Sequence, residues 1–248
     1  MRLADMTWQE VREHLTGRDA LLVPVGTCEQ HGPHLPLGCD TLIAEAFADR
    51  ISDATGVPVA PTLAYGVNLP CDLFTSGTAG LSFDTLRDCV RDLLADWKRQ
   101  GFRRFFIVTA HACASGGFGF AHHEALKQGS FPTMQDPGCD VSILFPYWTD
   151  ASDLLSRQKG ASHACEVETA LALHLFPDRV RGDRVRDPVG GLSVDRYRAF
   201  PEGVAQGPPA DDWHGGAGFP SAATADQGAR IFARLLEPLV AYVRARTA

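Results

Sequence analysis

The sequence predicts an α/β fold: a single domain over residues 1–248, arranged as a three-layer sandwich with a mostly parallel central sheet flanked by helices. Two observations carry this prediction. Strand-like runs alternate with helix-like segments along the chain, and the strand-like runs are continuously apolar. Such runs are typical of parallel strands that are buried on both faces. The 248 residues suffice for one large domain, and the sequence contains no linker, repeat or low-complexity segment.

The sequence of the first third of the chain predicts two helices, two strands and a long loop. Thr7 and Glu10 have the spacing of a capping box, which places the start of the first helix. The loop is rich in Gly, Pro and Thr, and a loop of this length in a compact domain is usually functional. The expected bounds are a helix over 7–17, a strand over 19–26, a helix over 40–56, a strand over 57–61 and the loop over 62–81.

The alternation continues in the rest of the chain. Leu86, Val90 and Leu94 lie on one helical stripe, and Pro238 is expected to kink the last helix. The expected bounds are a helix over 82–101, a strand over 103–110, a helix near 116–128, a strand over 140–146, a helix over 163–176, an irregular segment over 178–220 and a final helix over 221–248.

Charge and cysteine content limit the class of protein. The formal net charge of -7 disfavours a nucleic-acid or acidic-membrane partner, because either would require a basic surface. The first residues lack the apolar core of a secretion signal and no apolar run could span a bilayer, so we expect a cytoplasmic protein. Seven irregularly spaced cysteines without a CxxC pair favour reduced thiols over a disulfide framework.

Three groups of polar residues follow predicted strands or begin a helix. The loop GTCEQHGPHLPLGCD (26–40) follows the first strand, His111 follows the strand RRFFIVTA, and HACEVETA (163–170) opens a helix. Ligands bind at the carboxyl ends of the strands in open parallel sheets. We therefore expect these groups to meet at one edge of the sheet.

The chemistry of these residues favours a pair of divalent metal ions. Glu29 and His31 lie two apart, which puts both on one side of an extended segment. Asp40 follows a loop that Pro33 and Pro36 stiffen. Zinc and manganese accept imidazole and carboxylate ligands, and a carboxylate can bridge two ions.

Most of these residues also have an ordinary structural interpretation. Asp40 precedes a helix and could be its N-cap, and Glu29 could pair with a surface arginine. His111 could be a hydrogen-bonded core histidine, and His34, between two prolines, is expected to be structural. The metal interpretation depends on Glu29, His31, Asp40 and His111 converging at the strand ends.

The motifs resemble those of the creatininase family. VPVGTCEQHGPHLPLGCD resembles the family signature, and four later segments follow in the family's order: FTSGTAGLS, TAHACASGG, HACEVETA and GGAGFPSAATADQGARIF. The matches extend from about residue 20 to residue 232. The resemblance implies a parallel α/β sandwich that assembles as a hexamer and holds two metal ions.

The resemblance also implies roles for individual residues. Glu29 and His111 would bind one ion, His31 the other, and Asp40 would bridge them. A metal-bound hydroxide would then attack the carbonyl of a small amide, and His163 would protonate the leaving nitrogen or hold the substrate.

Three further residues are assigned near the substrate. Glu168 would lie beside His163, and Trp148 is the candidate for the tryptophan that packs on substrate in creatininase. Thr78, in the segment FTSGTAGLS, is a further candidate for substrate binding.

The chain departs from creatininase at one ligand. Creatininase has a glutamate ligand where this chain has Cys113, so either the Cys113 thiolate or Glu166 must complete the second site. We favour Glu166, because His163 and Glu166 share a face if the helix has begun and a thiolate beside a bridging carboxylate is less common. A thiolate would favour zinc. Ala112 replaces a tyrosine near the substrate, which disfavours creatinine itself.

The prediction is a metal-dependent hydrolase that acts on a carbon–nitrogen bond, other than a peptide bond, of a small molecule. It would use two divalent ions, zinc first, with manganese or iron as alternatives, and would form a homo-oligomer without nucleic-acid or membrane partners. Three alternatives stay open: a metal-binding or assembly protein without activity, a ring-opening hydrolase of a non-amide substrate, and an enzyme with Cys113 as nucleophile.

Overall fold

The computed structural model describes residues 1–69, 72, 75–115, 119–188 and 214–248. Parts of the predicted loop over 62–81, the predicted helix near 116–128 and the irregular segment over 178–220 lie outside these residues. The α-helices of the described residues are α1 (Trp8–His14), α2 (Cys39–Thr55), α3 (Phe83–Gln100), α4 (Ala121–Met134), α5 (Glu166–Leu175) and α6 (Ala225–Thr247). The strands are β1 (Ala20–Pro24), β2 (Arg104–Val108), β3 (Ala114–Ser115), β4 (Gly119–Phe120) and β5 (Asp140–Leu144).

The central sheet is parallel, in the order β1-β2-β5, with β2 in the middle. Every residue of β1 is buried, as its continuously apolar sequence requires. The short strands β3 and β4 pair with each other in an antiparallel direction and lie between β2 and α4 along the chain. Because β1, β2 and β5 run in one direction, the segments that follow them meet at the same edge of the sheet.

The predicted strand over 57–61 does not form a regular ladder. Val59 makes isolated parallel bridges to Leu22 and Arg2. The amide of Leu22 donates to the carbonyl of Pro58 at 2.9 Å, and the amide of Ala60 donates to Leu22 at 2.8 Å. Pro58 and Pro61 have no N–H group to extend this pairing, so the segment lies beside β1 without becoming a strand.

Helices cover both faces of the sheet and confirm the predicted three-layer α/β arrangement. One core contains Leu22 and Phe106 with apolar residues of α2, α5 and α6. The other contains Leu21 and Phe105 with residues of α3 and α4. Neighbouring strand residues point to opposite faces, which places the paired positions 21/105 and 22/106 in different cores.

The helix starts determine where the polar loops end. Thr7 and Glu10 form the predicted capping box at the start of α1. Cys39 begins α2 after Gly38, so Asp40 lies in the first helical turn and is not the N-cap. The last helix continues through Pro238. Among the described residues, no helix has both the length and the apolar character needed to cross a bilayer.

Candidate metal centre

The polar segments meet in one cavity of about 560 Å³ beyond the carboxyl ends of the strands. The loop after β1 provides Glu29, the first turn of α2 provides Asp40, and the segment after β2 provides His111. His163 and Glu168 come from the start of α5 and the residues before it. The expected convergence at the sheet edge is therefore present in the structure.

Two backbone carbonyls orient the two central imidazoles. His31 Nδ1 lies 3.0 Å from the carbonyl oxygen of Glu29, and His111 Nε2 lies 2.8 Å from that of Val67. The second ring nitrogen of each histidine faces a carboxylate. His31 Nε2 is 3.3 Å from Asp40 Oδ1. His111 Nδ1 is 3.1 Å from Asp40 Oδ2 and 3.2 Å from Glu29 Oε2. Carbonyl anchors of this kind fix the tautomer and direction of a metal-ligating histidine.

The donor atoms form two groups that share Asp40. Glu29, Asp40 and His111 make one group, while His31, Asp40 and Glu168 make the other. Within each group, the potential ligand atoms lie within 4.8 Å of one another. A third combination joins Glu29, His31 and His163. Imidazole and carboxylate donors in this ratio suit zinc or manganese.

Unsatisfied buried atoms support the fit of these residues to cations. Among the described residues, Glu29 Oε2, Asp40 Oδ2 and His31 Nε2 are buried, and their ion-pair contacts of 3.1 to 3.3 Å do not have the geometry of hydrogen bonds. Buried polar atoms almost always have a partner, and an ion is one of the partners that can fill such a gap. Three such atoms in one cluster fit a cation-binding site.

Buried histidines balance the buried acids when no cation is bound. Burial alone would lower the pKa of His31, but the charge and hydrogen bond of Asp40, together with the charges of Glu168 and Glu29, outweigh burial and raise the pKa to about 10. Burial also favours the neutral form of His111, but the charge of Glu29 and the hydrogen bond with Asp40 contribute to raising its pKa well above the usual range. The histidine charges lower the pKa of Glu29 to about 2 despite its burial. Metal binding would displace the imidazolium protons from the same nitrogens.

Glu168 is held at the edge of the second group by a backbone amide. Its Oε2 accepts a hydrogen bond of 2.6 Å from the amide of Ala164, whose φ of 49° is in the left-handed region. Burial raises the pKa of Glu168 to about 8, with Asp40 adding to the shift and His31 opposing it. A neighbouring cation would favour the ionised carboxylate. The structure thus groups Glu168 with His31 and Asp40.

The hydrogen bonds of His163 define its tautomer. Gln30 Nε2 lies 2.8 Å from Asp72 Oδ1 and 2.7 Å from the Gly215 carbonyl, so both of its hydrogens have acceptors. His163 Nε2 lies 2.7 Å from the backbone carbonyl oxygen of Gln30 and therefore donates a hydrogen bond to it. Nδ1 is then the basic nitrogen, 3.9 Å from Glu29 Oε2. Burial lowers the pKa of His163 to about 4, so the ring is neutral at pH 7.

Comparison with known proteins decides the family. The family model for creatininase, creatinine amidohydrolase, matches residues 4–243. The chain belongs to the creatininase family. Creatinine amidohydrolase of Pseudomonas putida is 28% identical over 220 residues, covering 83% of each chain. The mycofactocin precursor peptide peptidase of Mycolicibacterium smegmatis is 32% identical over 229 residues, covering 87% of this chain and 81% of its own.

A solved structure confirms the fold. The structure described as "Creatininase Mn" superposes with a TM-score of 0.82 at 23% identity, covering 99% of this chain and 98% of that chain. The resemblance inferred from the motifs is therefore confirmed over nearly the whole chain. The relatives are hydrolases, which agrees with the predicted class of reaction.

Glu166 lies outside the three donor groups that the described residues form. Its carboxylate accepts hydrogen bonds from the amides of Ser156, Arg157 and Gln158 at 2.5, 3.0 and 3.2 Å, and from the Gln227 side chain at 2.7 Å. Residues two apart in a helix point about 200° away from each other, so Glu166 and Glu168 face opposite sides. The expectation that Glu166 completes the second ion's ligands does not fit these contacts. Glu166 instead anchors the loop before α5.

Cys113, the other candidate ligand, lies in the cavity wall beside His111. Its side chain is buried, and its φ of 50° is unusual for a residue other than glycine. The thiol is within hydrogen-bonding reach of His111. Cys113 belongs to none of the three donor groups formed by the described residues. Its role as a ligand stays a prediction.

The two proposed substrate residues lie in different places. Trp148 is 66% exposed at the cavity wall, edge-on to His123 with ring centres 5.6 Å apart. Thr78 does not line the described cavity; its Oγ1 accepts from the amide of Gln30 at 2.9 Å. Thr78 therefore supports the loop that carries Glu29 and His31.

Sequence reasoning missed Gln30 and Asp72. Gln30 lies between two predicted ligands and its side chain links Asp72, Gly215 and the region of His163. Its position between Glu29 and His31 was the available signal. Asp72 had none, because it contacts Gln30 from a loop 42 residues further along the chain.

Proposed function

We propose that this protein is a two-metal hydrolase of a carbon–nitrogen bond. The observation that carries the proposal is the pair of buried donor groups that share Asp40 on the cavity floor. Glu29, Asp40 and His111 would hold one ion, and His31, Asp40 and Glu168 the other. We propose zinc, with manganese or iron as alternatives; the similar solved structure described as "Creatininase Mn" supports manganese.

His163 would transfer the proton during the reaction. Bound divalent ions lower the pKa of water and polarise a carbonyl group. His163 Nδ1 would accept the proton of the attacking water as the new C–O bond forms, and would pass it to the leaving nitrogen as the C–N bond breaks. The Gln30 carbonyl holds the Nε2 hydrogen and keeps this tautomer in place. His163 therefore begins the reaction as a base and completes it as an acid.

The cavity favours an uncharged or apolar substrate group near the reacting bond. Leu69, Phe120, Phe145 and Trp148 line it, and no lysine or arginine does so among the described residues. A carboxylate on the substrate would therefore find no cationic side chain in this wall. A lactam or formamide of a small molecule fits this chemistry.

A second candidate substrate is a carbon–nitrogen bond at the end of a peptide. The relative from Mycolicibacterium smegmatis, 32% identical to this chain, is named a precursor peptide peptidase. This likeness supports testing peptides beside small amides, although the sequence favours a non-peptide substrate. Two further alternatives are a metal-binding protein without activity and a hydrolase of non-amide rings. The hydrolysis assay described next also distinguishes the proposed function from these two alternatives.

The test is hydrolysis by protein that has been stripped of metal and then reloaded. We expect turnover on at least one lactam, formamide or short peptide, with two ions per chain by elemental analysis. Removing the ions with a chelator should reduce turnover at least about a hundredfold, and adding Zn²⁺ or Mn²⁺ should restore it. At most one tightly bound ion and no turnover would contradict the proposal. Inactivation by iodoacetamide but not by chelators would favour the Cys113 nucleophile.

The hexamer implied by the family resemblance also stays a proposal. Phe131, Met134 and Trp148 expose 60%, 47% and 66% of their surfaces around one apolar depression beside β5, which supports a contact between copies. The particle mass in solution checks this assembly. The cytoplasmic location expected from the sequence stays a prediction.

A further inference from the structure

The hydroxyl of Tyr147 is buried without a hydrogen-bond partner among the described residues. Tyr147 lies in the short turn Pro146–Trp148 that follows β5, and its ring contacts Phe145 edge-on with centres 5.3 Å apart. The residue lines the same cavity as Asp40 and Glu168. It is a polar group in the wall of the candidate site that the proposed reaction does not use.

A hydroxyl in this position is unfavourable unless something pairs with it. Burying an unsatisfied polar group destabilises a fold, and a phenylalanine would fill nearly the same volume without that penalty. Tyr242 shows the usual arrangement, because its hydroxyl lies 2.9 Å from Ser142 Oγ. The unpaired Tyr147 hydroxyl therefore indicates a partner beyond the hydrogen bonds that the described residues make.

The surroundings of the hydroxyl indicate which partner it meets. Tyr147 packs against the core that contains Cys39 and Cys165, the residues at the starts of α2 and α5. Asp40 and Glu168 follow those starts and belong to the second donor group. Burial, followed by the negative charges of Glu168 and Asp40, raises the pKa of Tyr147 well above its usual range, so the hydroxyl keeps its proton.

We propose that Tyr147 is a positioning residue for the second ion: its hydroxyl donates a hydrogen bond to the Glu168 carboxylate when the site is loaded. Both residues line the same cavity, and a carboxylate that holds a cation is a strong acceptor for a hydroxyl group. Oε2 already accepts from the Ala164 amide, and a carboxylate has lone pairs for further donors. The inference rests on the proposed two-ion function and adds a residue that fixes one ligand's orientation.

The test compares Tyr147→Phe with the wild-type protein by titrating metal-free chains with Mn²⁺ in a calorimeter. Mn²⁺ is the probe because it prefers carboxylate ligands and binds free thiols weakly. Loss of an outer-shell hydrogen bond typically weakens metal binding about tenfold to a hundredfold. We expect that loss for one of the two ions, with the other affinity changed less than about twofold.

Thermal unfolding of the metal-free proteins separates this role from ordinary packing. Tyr147→Phe should melt at or above the wild-type temperature, because it removes an unpaired buried hydroxyl. Tyr242→Phe is the matched control: it loses an existing hydrogen bond, so it should melt about 2–4 °C lower and leave both affinities unchanged.

Two outcomes would overturn the inference alone. Wild-type affinities for both ions in Tyr147→Phe would show that the hydroxyl makes no contact with the loaded site. A clear loss of stability in its metal-free form would show that the hydroxyl already has a partner there. A wild-type chain that binds fewer than two Mn²⁺ ions would overturn the two-ion function together with this inference.

Discussion

Asp40→Asn is expected to remove tight binding of both ions and to abolish hydrolysis. Asp40 Oδ1 faces His31 Nε2 at 3.3 Å and Oδ2 faces His111 Nδ1 at 3.1 Å, so each oxygen serves a different donor group. Asparagine has the same shape but offers one neutral oxygen. We expect kcat/KM to fall at least about a thousandfold, equivalent to about 4 kcal/mol of transition-state stabilisation.

The variant should still fold without metal. Asp40 is the charge that contributes most to raising the pKa of His31. Without it, His31 can lose its proton and stay buried as a neutral ring. Circular dichroism of Asp40→Asn should therefore resemble that of the wild type, which separates the loss of ions from unfolding.

Asp53→Asn provides a control on the same helix. Asp53 lies near the end of α2, and its carboxylate pairs only with Arg50 among the described residues, at an exposed position 3.3 Å away. Exposed pairs of this kind contribute little to stability. Elemental analysis after dialysis and kcat/KM should be unchanged for Asp53→Asn. Two retained ions, or more than about a tenth of the activity, in Asp40→Asn would contradict the shared-ligand role.

Two strands of the sheet could be predicted because they are buried on both faces. The strands β1 and β2 appear in the sequence as uninterrupted apolar runs, and no other common arrangement explains such runs alternating with helices. The segment over 57–61 is also largely apolar, but it contains two prolines. It makes only isolated bridges because the two prolines lack the amide donors that a regular ladder needs. The apolar pattern of the sequence does not indicate this difference.

The first half of the site could be predicted because its residues are close together in sequence. The loop after β1 contributes Glu29 and His31, the first turn of α2 contributes Asp40 soon afterwards, and His111 lies in the segment that follows β2. The second half depends on the residue at which α5 begins. The spacing argument that joined His163 to Glu166 requires a helix from His163, whereas α5 begins at Glu166 and Ala164 is left-handed. No pattern in HACEVETA determines that boundary.

Glu168→Gln and Glu166→Gln form a matched pair that tests this boundary. Glu168→Gln should lose the second ion and lower kcat/KM at least about a hundredfold, because an amide cannot supply the ligand charge. Its metal-free stability should change little. The raised pKa of Glu168, about 8, makes the side chain a neutral acid at pH 7, and glutamine resembles that form. The Ala164 amide keeps an oxygen acceptor.

Glu166→Gln should have the opposite effect. The carboxylate accepts from three backbone amides and from Gln227, and a glutamine amide would turn a donor toward donors. We expect a loss of about 3 kcal/mol in the free energy of unfolding and a melting temperature lowered by about 6–12 °C. Both ions should remain bound, since the donor groups do not include Glu166.

The acid limb of the stability curve gives an independent measurement. Burial would raise the pKa of Glu166, but the hydrogen bonds outweigh it and lower the pKa from its ordinary value of 4.5. A lowered pKa contributes stability that is present above the unfolded value and is lost as the pH falls through the folded value. Metal-free wild type should therefore lose stability more steeply below about pH 4.5 than Glu166→Gln does. If Glu166→Gln instead released an ion at neutral pH while Glu168→Gln kept both, the second ion would belong to Glu166.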